Sequence, residues 1–279
     1  MAGRILADLG AEVVKVEPPE GDPLRRVIPL SRGDSLRFAA WNAGKTSIVL
    51  APEDPKLDDL LRGAAVVLET PGWQGAPTLD PSRAPQAVWV RVTPFGGTGP
   101  RAAWRASDLG VMAASGNMGA TGDADRAPVR CTEPASYAHV GPETAFAVLT
   151  GVASGRPQVI DVSMQEVVLV ANMSGAAQAR QTGKSPRRGG AIVGRTREIW
   201  RCKAGWVSFG LRGGRARVPS LDLLTLLLRE EGLATAAWTE RDWTKFDHAT
   251  ASAEELAALE GPLGEYFARH SMQELYDLA

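Results

Sequence analysis

The stretch "TSIVLAPEDPKLDDLLRGAAVVLE", residues 46–69, decides the fold class. Two short apolar runs, 46–50 and 65–68, flank a segment from about Asp54 to Arg62 with a helical pattern. Strands that alternate with helices are typical of βαβ units, whose strands run parallel. Further strand patterns lie at 12–16, 87–92 and 158–162. The sequence therefore predicts an α/β domain with a parallel sheet flanked by helices.

The tripeptide Gly44-Lys45-Thr46 matches the end of a phosphate-binding P-loop, but its surroundings do not. A P-loop needs a glycine five residues before the final one, and Ala39 is there instead. A strand rather than a helix follows the lysine, so the order of elements is inverted. We therefore expect the tripeptide to introduce a strand and not to bind a nucleotide as a P-loop does.

Composition excludes several classes of protein. The 279 residues are 44% hydrophobic, and 31 basic side chains nearly balance 32 acidic ones, which argues against a nucleic-acid partner. No stretch approaches the roughly 18 apolar residues of a membrane span, and the first residues do not resemble a signal peptide. Two distant cysteines give no disulfide framework. These features favour a cytoplasmic protein with no membrane partner and no metal site.

A Gly- and Arg-rich segment at 180–195 marks the expected domain boundary. We predict a large domain over residues 1–182 and a small α+β domain over residues 183–279. The small domain begins with a hairpin around Lys203-Ala204-Gly205, and helices follow from 218 onward. Parallel-sheet proteins bind ligands at the carboxyl ends of their strands, so the loops there are the ones to inspect.

Six segments in and around those loops form a recognisable series: "AGRILADLGAEVVKVEPPEGDPLR" (2–25), "NAGKTSIVL" (42–50), "VTPFGGTGP" (92–100), "ASDLGVMAASG" (106–116), "GRPQVIDVSMQE" (155–166) and "WRCKAGWVSF" (200–209). In sequence and in order they resemble the motifs of the class III CoA-transferases, also called the CaiB/BaiF family. The family includes formyl-CoA transferase, carnitine CoA-transferase and α-methylacyl-CoA racemase.

The resemblance implies a Rossmann-like large domain, a smaller second domain and an interlocked homodimer. It implies acyl-CoA and a carboxylic acid as ligands, with coenzyme A as substrate and no tightly bound cofactor. Relative to the family, the chain begins after the first strand and stops before the C-terminal return segment. A fragment, one half that works with a partner subunit, or a degenerate relative would each fit.

The family's CoA-contacting segments can be carried over by position. They fall on two segments after strands, on a segment that approaches the thioester end, and on a glycine-rich loop over the active site: Leu50, Ala51, Pro52 and Glu53; Thr70, Pro71 and Gly72; Ala106, Ser107, Asp108 and Leu109; and Gly189, Gly190 and Gly194. Each also has a purely structural explanation. Leu50 is equally suited to a core, Gly72 to a turn, and Asp108 to a helix N-cap.

The family's chemistry uses an aspartate that attacks the thioester to form a mixed anhydride, from which coenzyme A is passed to the incoming acid. This chain has no aspartate in the matching region, 131–141. The position falls on Glu133, Pro134 or Tyr137, and the helix pattern favours Tyr137. Glu133 is the alternative carboxylate nucleophile.

Three functions follow from the resemblance. The leading expectation is transfer of coenzyme A between an acyl-CoA and a carboxylic acid through an enzyme-bound acyl intermediate. The alternative is a catalytically impaired CoA-ester-binding homologue or subunit. An acyl-CoA racemase or isomerase is a lesser alternative, because Ser107 occupies the position of the racemase histidine.

Overall fold

A computed structural model describes residues 1–72, 76–185 and 187–279. The chain divides into two compact units, and each is described by itself. The first comprises Met1–Gly119 and Val129–Pro186, and the second comprises Ala120–Pro128 and Arg187–Ala279. The second unit thus combines two separate stretches of chain, which a single boundary in the sequence cannot represent.

The first unit contains seven strands and seven helices among its described residues. The strands are β1 Val14–Glu17, β2 Leu30–Ser31, β3 Asp34–Ser35, β4 Thr46–Val49, β5 Val66–Glu69, β6 Val88–Thr93 and β7 Gln158–Ser163. The helices are α1 Ala2–Asp8, α2 Leu36–Asn42, α3 Pro55–Gly63, α4 Asp108–Ala114, α5 Ala135–Ala153, α6 Met164–Leu169 and α7 Met173–Thr182.

The second unit is a set of short hairpins followed by helices. Its strands are β8 Ile192–Val193, β9 Thr196–Arg197, β10 Ile199–Cys202 and β11 Gly205–Ser208. Its helices are α8 Val218–Glu230, α9 Ala236–Thr239, α10 Ala253–Arg269 and α11 Met272–Leu278. The predicted hairpin is confirmed, with Trp200 opposite Val207 in antiparallel register.

The strand–helix–strand segment at 46–69 is confirmed as β4, α3 and β5, but its two strands do not pair with each other. β4 pairs in parallel with β1, whereas β5, β6 and β7 form a separate three-stranded parallel sheet. Ile48 and Val67 nevertheless pack into the same apolar cluster below α3. Hydrophobic patterning determines which face of a strand is buried, and it does not select the hydrogen-bonding neighbour.

Two apolar clusters form the core of the first unit. The larger joins the sheet β5–β7 to the helices around it, with Val90, Val111 and Val168 fully buried. The smaller is centred on Trp89, whose indole N–H donates to Ala84 O at 3.0 Å. Alternate residues of β6 enter the two clusters, Val88 and Val90 the larger and Trp89 the smaller, so this strand is buried on both faces.

A tryptophan-rich cluster forms the core of the second unit. Trp238 and Trp243 lie 5.0 Å apart between ring centres, and Trp200 packs edge-on against Phe267 at 5.6 Å. Trp238 donates from its indole nitrogen to Leu259 O at 3.0 Å, so its polar atom is satisfied inside the core.

The structure differs from the sequence-based expectation in two local elements. The long helix expected from about 163 to 179 is interrupted by a 3-10 turn at Val170–Asn172, where Asn172 leaves the helical region with φ −116°. Helix α2 was not predicted, because "LRFAAWN" is short and lacks a clear apolar face. It starts where the Ser35 hydroxyl accepts a hydrogen bond from Phe38 N at 3.2 Å.

Within the described ranges, no helix has both the length and the apolar character needed to cross a lipid bilayer.

Candidate functional site

The first of the strand-end segments follows β4. Leu50 is 7% exposed and belongs to the smaller apolar cluster, so its side chain is occupied by core packing. Ala51 and Pro52 are half-buried and Glu53 is exposed. Asp54 then starts α3 by accepting a hydrogen bond from Lys56 N at 2.9 Å. In this segment, the groups that could contact a ligand are therefore the side chains of Ala51, Pro52 and Glu53 and the backbone.

The second segment follows β5. Thr70 and Gly72 are exposed and Pro71 is half-buried. Gly72 has φ +74° and donates from its backbone N–H to Ala76 O at 2.9 Å. A residue with a side chain is strained in this conformation, so the turn itself accounts for the glycine.

An acidic residue at the end of β1 organises the loop that follows it. The Glu17 carboxylate is 1% exposed and accepts hydrogen bonds from Asp22 N at 2.9 Å and Ser47 Oγ at 2.6 Å. Arg25 adds a two-point contact, and its guanidinium lies 3.9 Å over the Phe38 ring. These donors outweigh burial and lower the pKa of Glu17 to about 2.

Sequence reasoning did not identify Glu17 and Arg25 as a unit. The available signal was an acidic residue closing an apolar strand, with an arginine eight positions later.

The loop after β6 is tied to the neighbouring strand. Asp161 on β7 accepts a hydrogen bond from Gly97 N at 2.6 Å, and both Gly96 and Gly97 lie against its carboxylate. Asp161 therefore supports the glycine turn at this edge of the sheet.

Three contacting pairs lie around the start of α5, and we call their six residues the helix-start cluster: Arg37 and Trp41 from α2, Asp108 from α4, Glu133 just before α5, and Ser136 and Tyr137 in its first turn. Arg37 and Trp41 are four positions apart, which places them on the same face of α2. The cluster joins three elements that are far apart in sequence.

The segment 106–109, at the start of α4, supplies the Asp108 carboxylate to this cluster. Asp108 Oδ1 accepts two hydrogen bonds from Ser136, one from the backbone N–H at 2.9 Å and one from Oγ at 2.6 Å. Asp108 is therefore not the N-cap of its own helix, a position that Ser107 holds, but the polar partner of the first turn of α5. This interaction corrects the N-cap alternative.

The neighbours of Asp108 occupy different environments. Ser107 is exposed, Leu109 is 42% exposed, and Ala106 packs against the larger core cluster.

The two residues favoured for the missing aspartate have different surroundings. Glu133 has a side chain that is 69% exposed, and its Oε2 accepts a hydrogen bond from Arg37 Nη2 at 2.5 Å. Tyr137 is half-buried, and its ring meets Trp41 edge-on with centres 6.2 Å apart. Burial and the nearby Asp108 charge raise the pKa of Tyr137, although the Asp108 backbone N–H opposes the shift.

The predicted glycine loop lies in the second unit. Gly190 donates from its N–H to Gly122 O at 3.0 Å and has φ +59°, and Gly194 has φ +67°. A β-carbon at Gly189 would collide with Ile192 O, and one at Gly190 would meet Asp123 Oδ1 at 2.5 Å. Close packing and backbone conformation inside the second unit are thus enough to explain why these positions are glycines. That this loop closes over a ligand stays a prediction.

Across residues 1–72, 76–185 and 187–279, the histidine, cysteine, aspartate and glutamate side chains form no group of three or more that could hold a metal ion. The chemistry available at the helix-start cluster is that of carboxylates, a hydroxyl and a guanidinium.

Comparison with known proteins places this geometry in context. A probable CoA-transferase of Mycobacterium tuberculosis is 34% identical over 228 residues, which cover 75% of this chain and 29% of that protein. Subunit BbsE of the succinyl-CoA:(R)-benzylsuccinate CoA-transferase of Thauera aromatica is 30% identical across 99% of this chain and 71% of BbsE. The chain thus spans well under two thirds of the first relative.

A solved structure gives the same assignment. A CaiB/BaiF family protein from Brucella suis superposes with a TM-score of 0.80 at 26% identity, covering 99% of this chain and 76% of its own. The model of CoA-transferase family III matches residues 1–279, the whole of the sequence. The chain therefore belongs to CoA-transferase family III.

Proposed function

We propose that this chain carries out, or takes part in, transfer of coenzyme A between an acyl-CoA thioester and a carboxylic acid. The observation that carries the proposal is the helix-start cluster, in which Glu133 pairs with Arg37, Asp108 accepts hydrogen bonds from Ser136, and Trp41 packs against Tyr137. A carboxylate can attack a thioester and then carry the acyl group, which divides one difficult exchange into easier steps. This chemistry requires acyl-CoA and an acid and no bound cofactor.

The strand-end segments are proposed to hold the CoA moiety. Residues 51–53 follow β4 and residues 70–72 follow β5, and both segments offer backbone groups and small side chains to a long, flexible ligand. Leu50 would support this surface from beneath, because its side chain is buried. Residues 106–109 are proposed to contact the thioester end, and Gly189, Gly190 and Gly194 to cover it.

Isotope exchange tests the proposal without knowledge of the natural acceptor. Succinyl-CoA is incubated with labelled succinate and the protein, and label entering succinyl-CoA is measured. Succinyl-CoA is the first donor to use, because the name of the BbsE enzyme includes it. Acetyl-CoA with labelled acetate is the second pair. Enzyme-dependent exchange with either pair supports the proposal, and absence of exchange and of any CoA-dependent rise in melting temperature contradicts it.

A second candidate is a CoA-ester-binding subunit that works with another CoA-transferase chain. Two observations favour it. Ser136 and Tyr137 occupy the helix start where the family resemblance leads us to expect an aspartate, and the relative BbsE is itself named as a subunit. In this case CoA would raise the melting temperature of the isolated chain, whereas exchange would occur only after a second family III chain is added.

Surface area supports association with further protein, either as the homodimer expected from the family or with such a partner subunit. The chain exposes 16,987 Å². A compact monomer of 29.6 kDa exposes about 11,600 Å². Two separate compact bodies in the proportions of the two units would together expose about 13,900 Å². The exposed area of the chain exceeds even the value for two separate bodies by about 3,000 Å². This difference is larger than the roughly 800 Å² that each partner contributes to a standard interface. Light scattering with size-exclusion chromatography measures the oligomeric state.

A further inference from the structure

We propose that Asp108, and not Glu133 or Tyr137, is the carboxylate nucleophile of the helix-start cluster, with Ser136 as its oxyanion donor. This inference rests on the proposed CoA transfer. It follows from the unequal surroundings of the two Asp108 oxygens. Oδ1 accepts both Ser136 hydrogen bonds, whereas Oδ2 receives no hydrogen bond from any of the described residues.

The two carboxylate oxygens of Asp108 therefore have different roles in the proposed reaction. Oδ2 has a free lone pair on a half-buried side chain, which is what attack on a thioester needs. Oδ1 faces two donors, and one of them is a backbone N–H in the first turn of the 19-residue helix α5. Such donors stabilise negative charge, both directly and through the helix dipole.

Each covalent step can be assigned to these atoms. Oδ2 attacks the acyl-CoA carbonyl, the C–S bond breaks, and CoA leaves as a thiolate. The thiolate then attacks the Asp108 carbonyl carbon, negative charge develops on Oδ1 at the Ser136 donors, and the C–O bond of the anhydride breaks to release the donor acid. The acceptor carboxylate attacks the aspartyl thioester, CoA leaves again, and it attacks the acceptor acyl carbon to free Asp108. No proton, electron or further reactant is required.

The other candidate nucleophiles of the helix-start cluster are less suitable than Asp108. Glu133 is 69% exposed and bonded to Arg37, so an anhydride formed there would face water. Tyr137 is a phenol whose pKa is raised by burial, so it is protonated at neutral pH. The Ser136 hydroxyl is fully buried and already donates its hydrogen to Asp108. Asp108 is the member of the cluster that combines partial burial with an uncommitted oxygen.

Mapping the enzyme-bound intermediate tests the assignment. Wild-type protein is incubated with succinyl-CoA, trapped with hydroxylamine and digested with trypsin. Trypsin cleavage after arginine places Asp108 in peptide 106–126 and Glu133 in peptide 131–180, since the Arg156-Pro157 bond resists trypsin, so the two residues are separated before sequencing by mass spectrometry. A hydroxamate on Asp108 supports the inference. A hydroxamate on Glu133 or another side chain overturns it.

Three variants provide an independent readout. Asp108→Asn keeps an oxygen for the Ser136 donors and should lower exchange by at least about a thousandfold, while Ser136→Ala should lower kcat about a hundredfold with KM for acyl-CoA unchanged. Asp59→Asn, an exposed acid-to-amide change on α3, is the matched control and should exchange like wild type.

The outcomes separate the two proposals. Exchange by wild type that persists in a folded Asp108→Asn variant overturns the nucleophile assignment and leaves CoA transfer standing. Absence of exchange in wild type, both alone and after a second family III chain is added, together with no CoA-dependent rise in melting temperature, overturns both. If Asp108→Asn does not fold, the adduct position in wild type decides.

Discussion

Arg25 and Glu17 form a two-point ion pair at the carboxyl end of β1: Arg25 Nε donates to Glu17 Oε2 at 2.7 Å and Nη2 donates to Oε1 at 2.8 Å. The carboxylate is 1% exposed, whereas the arginine side chain is 44% exposed. The acid is therefore the buried half of the pair. Its removal leaves Asp22 N–H, Ser47 and Arg25 without their common acceptor.

We expect Glu17→Gln to lower the free energy of unfolding by about 2–4 kcal/mol at pH 7, because a buried charged acceptor is lost. Urea unfolding followed by circular dichroism measures the change. A loss below about 0.5 kcal/mol would contradict the view that Glu17 organises the loop after β1.

The same residue predicts a pH dependence. The pKa of Glu17 is lowered from 4.5 to about 2, so the folded protein binds this proton less readily than the unfolded chain. The stabilisation is complete above about pH 4.5 and is lost as the pH falls towards 2. It amounts to at most about 3 kcal/mol, since Arg25 is partly screened by solvent. Unfolding of wild type and Glu17→Gln from pH 5 to pH 3 should show a shallower decline in the variant.

Lys45 differs from Glu17 because its charged form destabilises the fold. Burial, followed by the charges of Lys15 and Arg4, lowers the pKa of Lys45 from 10.5 to about 8, so its charged form opposes folding at neutral pH. Stability from this group rises as pH increases from 8 to 10.5. We expect Lys45→Met to be more stable than wild type at pH 7, despite losing the 2.7 Å hydrogen bond to Asn42 Oδ1. Thermal unfolding at pH 7 and pH 10 measures both effects, and a less stable variant at pH 7 would refute the prediction.

Gly151 predicts a packing effect on α5. A β-carbon there would meet Val88 Cγ1 at 2.6 Å and Ile160 Cδ1 at 2.9 Å, which are side chains of the sheet beneath the helix. Gly151→Ala should therefore cost about 1–3 kcal/mol by overpacking. Gly63→Ala is the control, because nothing beyond its chain neighbours and its own helix backbone lies within 4 Å of the added carbon at the end of α3, and it should leave stability unchanged or raise it by up to about 1 kcal/mol. Chemical denaturation measures the unfolding free energy of both variants, and equal changes in the two would rule out overpacking at Gly151.

The Glu133–Arg37 pair should contribute little to stability. Its carboxylate is 69% exposed, and exposed ion pairs are worth about 0–1 kcal/mol. We expect Glu133→Gln to change the unfolding free energy by less than about 1 kcal/mol in denaturant titration. Any large loss of exchange in this variant would then be chemical in origin, and it would favour Glu133 as the nucleophile.

Local patterns predicted the strands and helices of this chain, but not their partners. Apolar periodicity located β4, α3 and β5 closely, because side-chain burial repeats along the chain. It did not show that β4 pairs with β1 while β5 pairs with β6. Pairing depends on contacts between residues more than 20 positions apart, which no short window contains.

The helix-start cluster shows the same limit. The family pattern drew attention to Glu133, Tyr137 and Asp108 separately. The hydrogen bonds from Ser136 to Asp108 join positions 28 apart, and nothing in the local sequence of either residue indicates them. Positions could be proposed from sequence, whereas the assignment of separate tasks to two oxygens of one carboxylate required coordinates.

The stretch Ala120–Pro128 has a consequence for how this protein can change over evolutionary time. It belongs to the second unit, where Gly122 O and Asp123 O accept hydrogen bonds from Gly190 N and Arg188 Nε. The backbone therefore passes from one unit to the other three times. A recombination event at a single crossover near residue 186 would transfer the second unit without the nine residues that receive these bonds. The second unit is therefore not a continuous cassette that one crossover could exchange between genes.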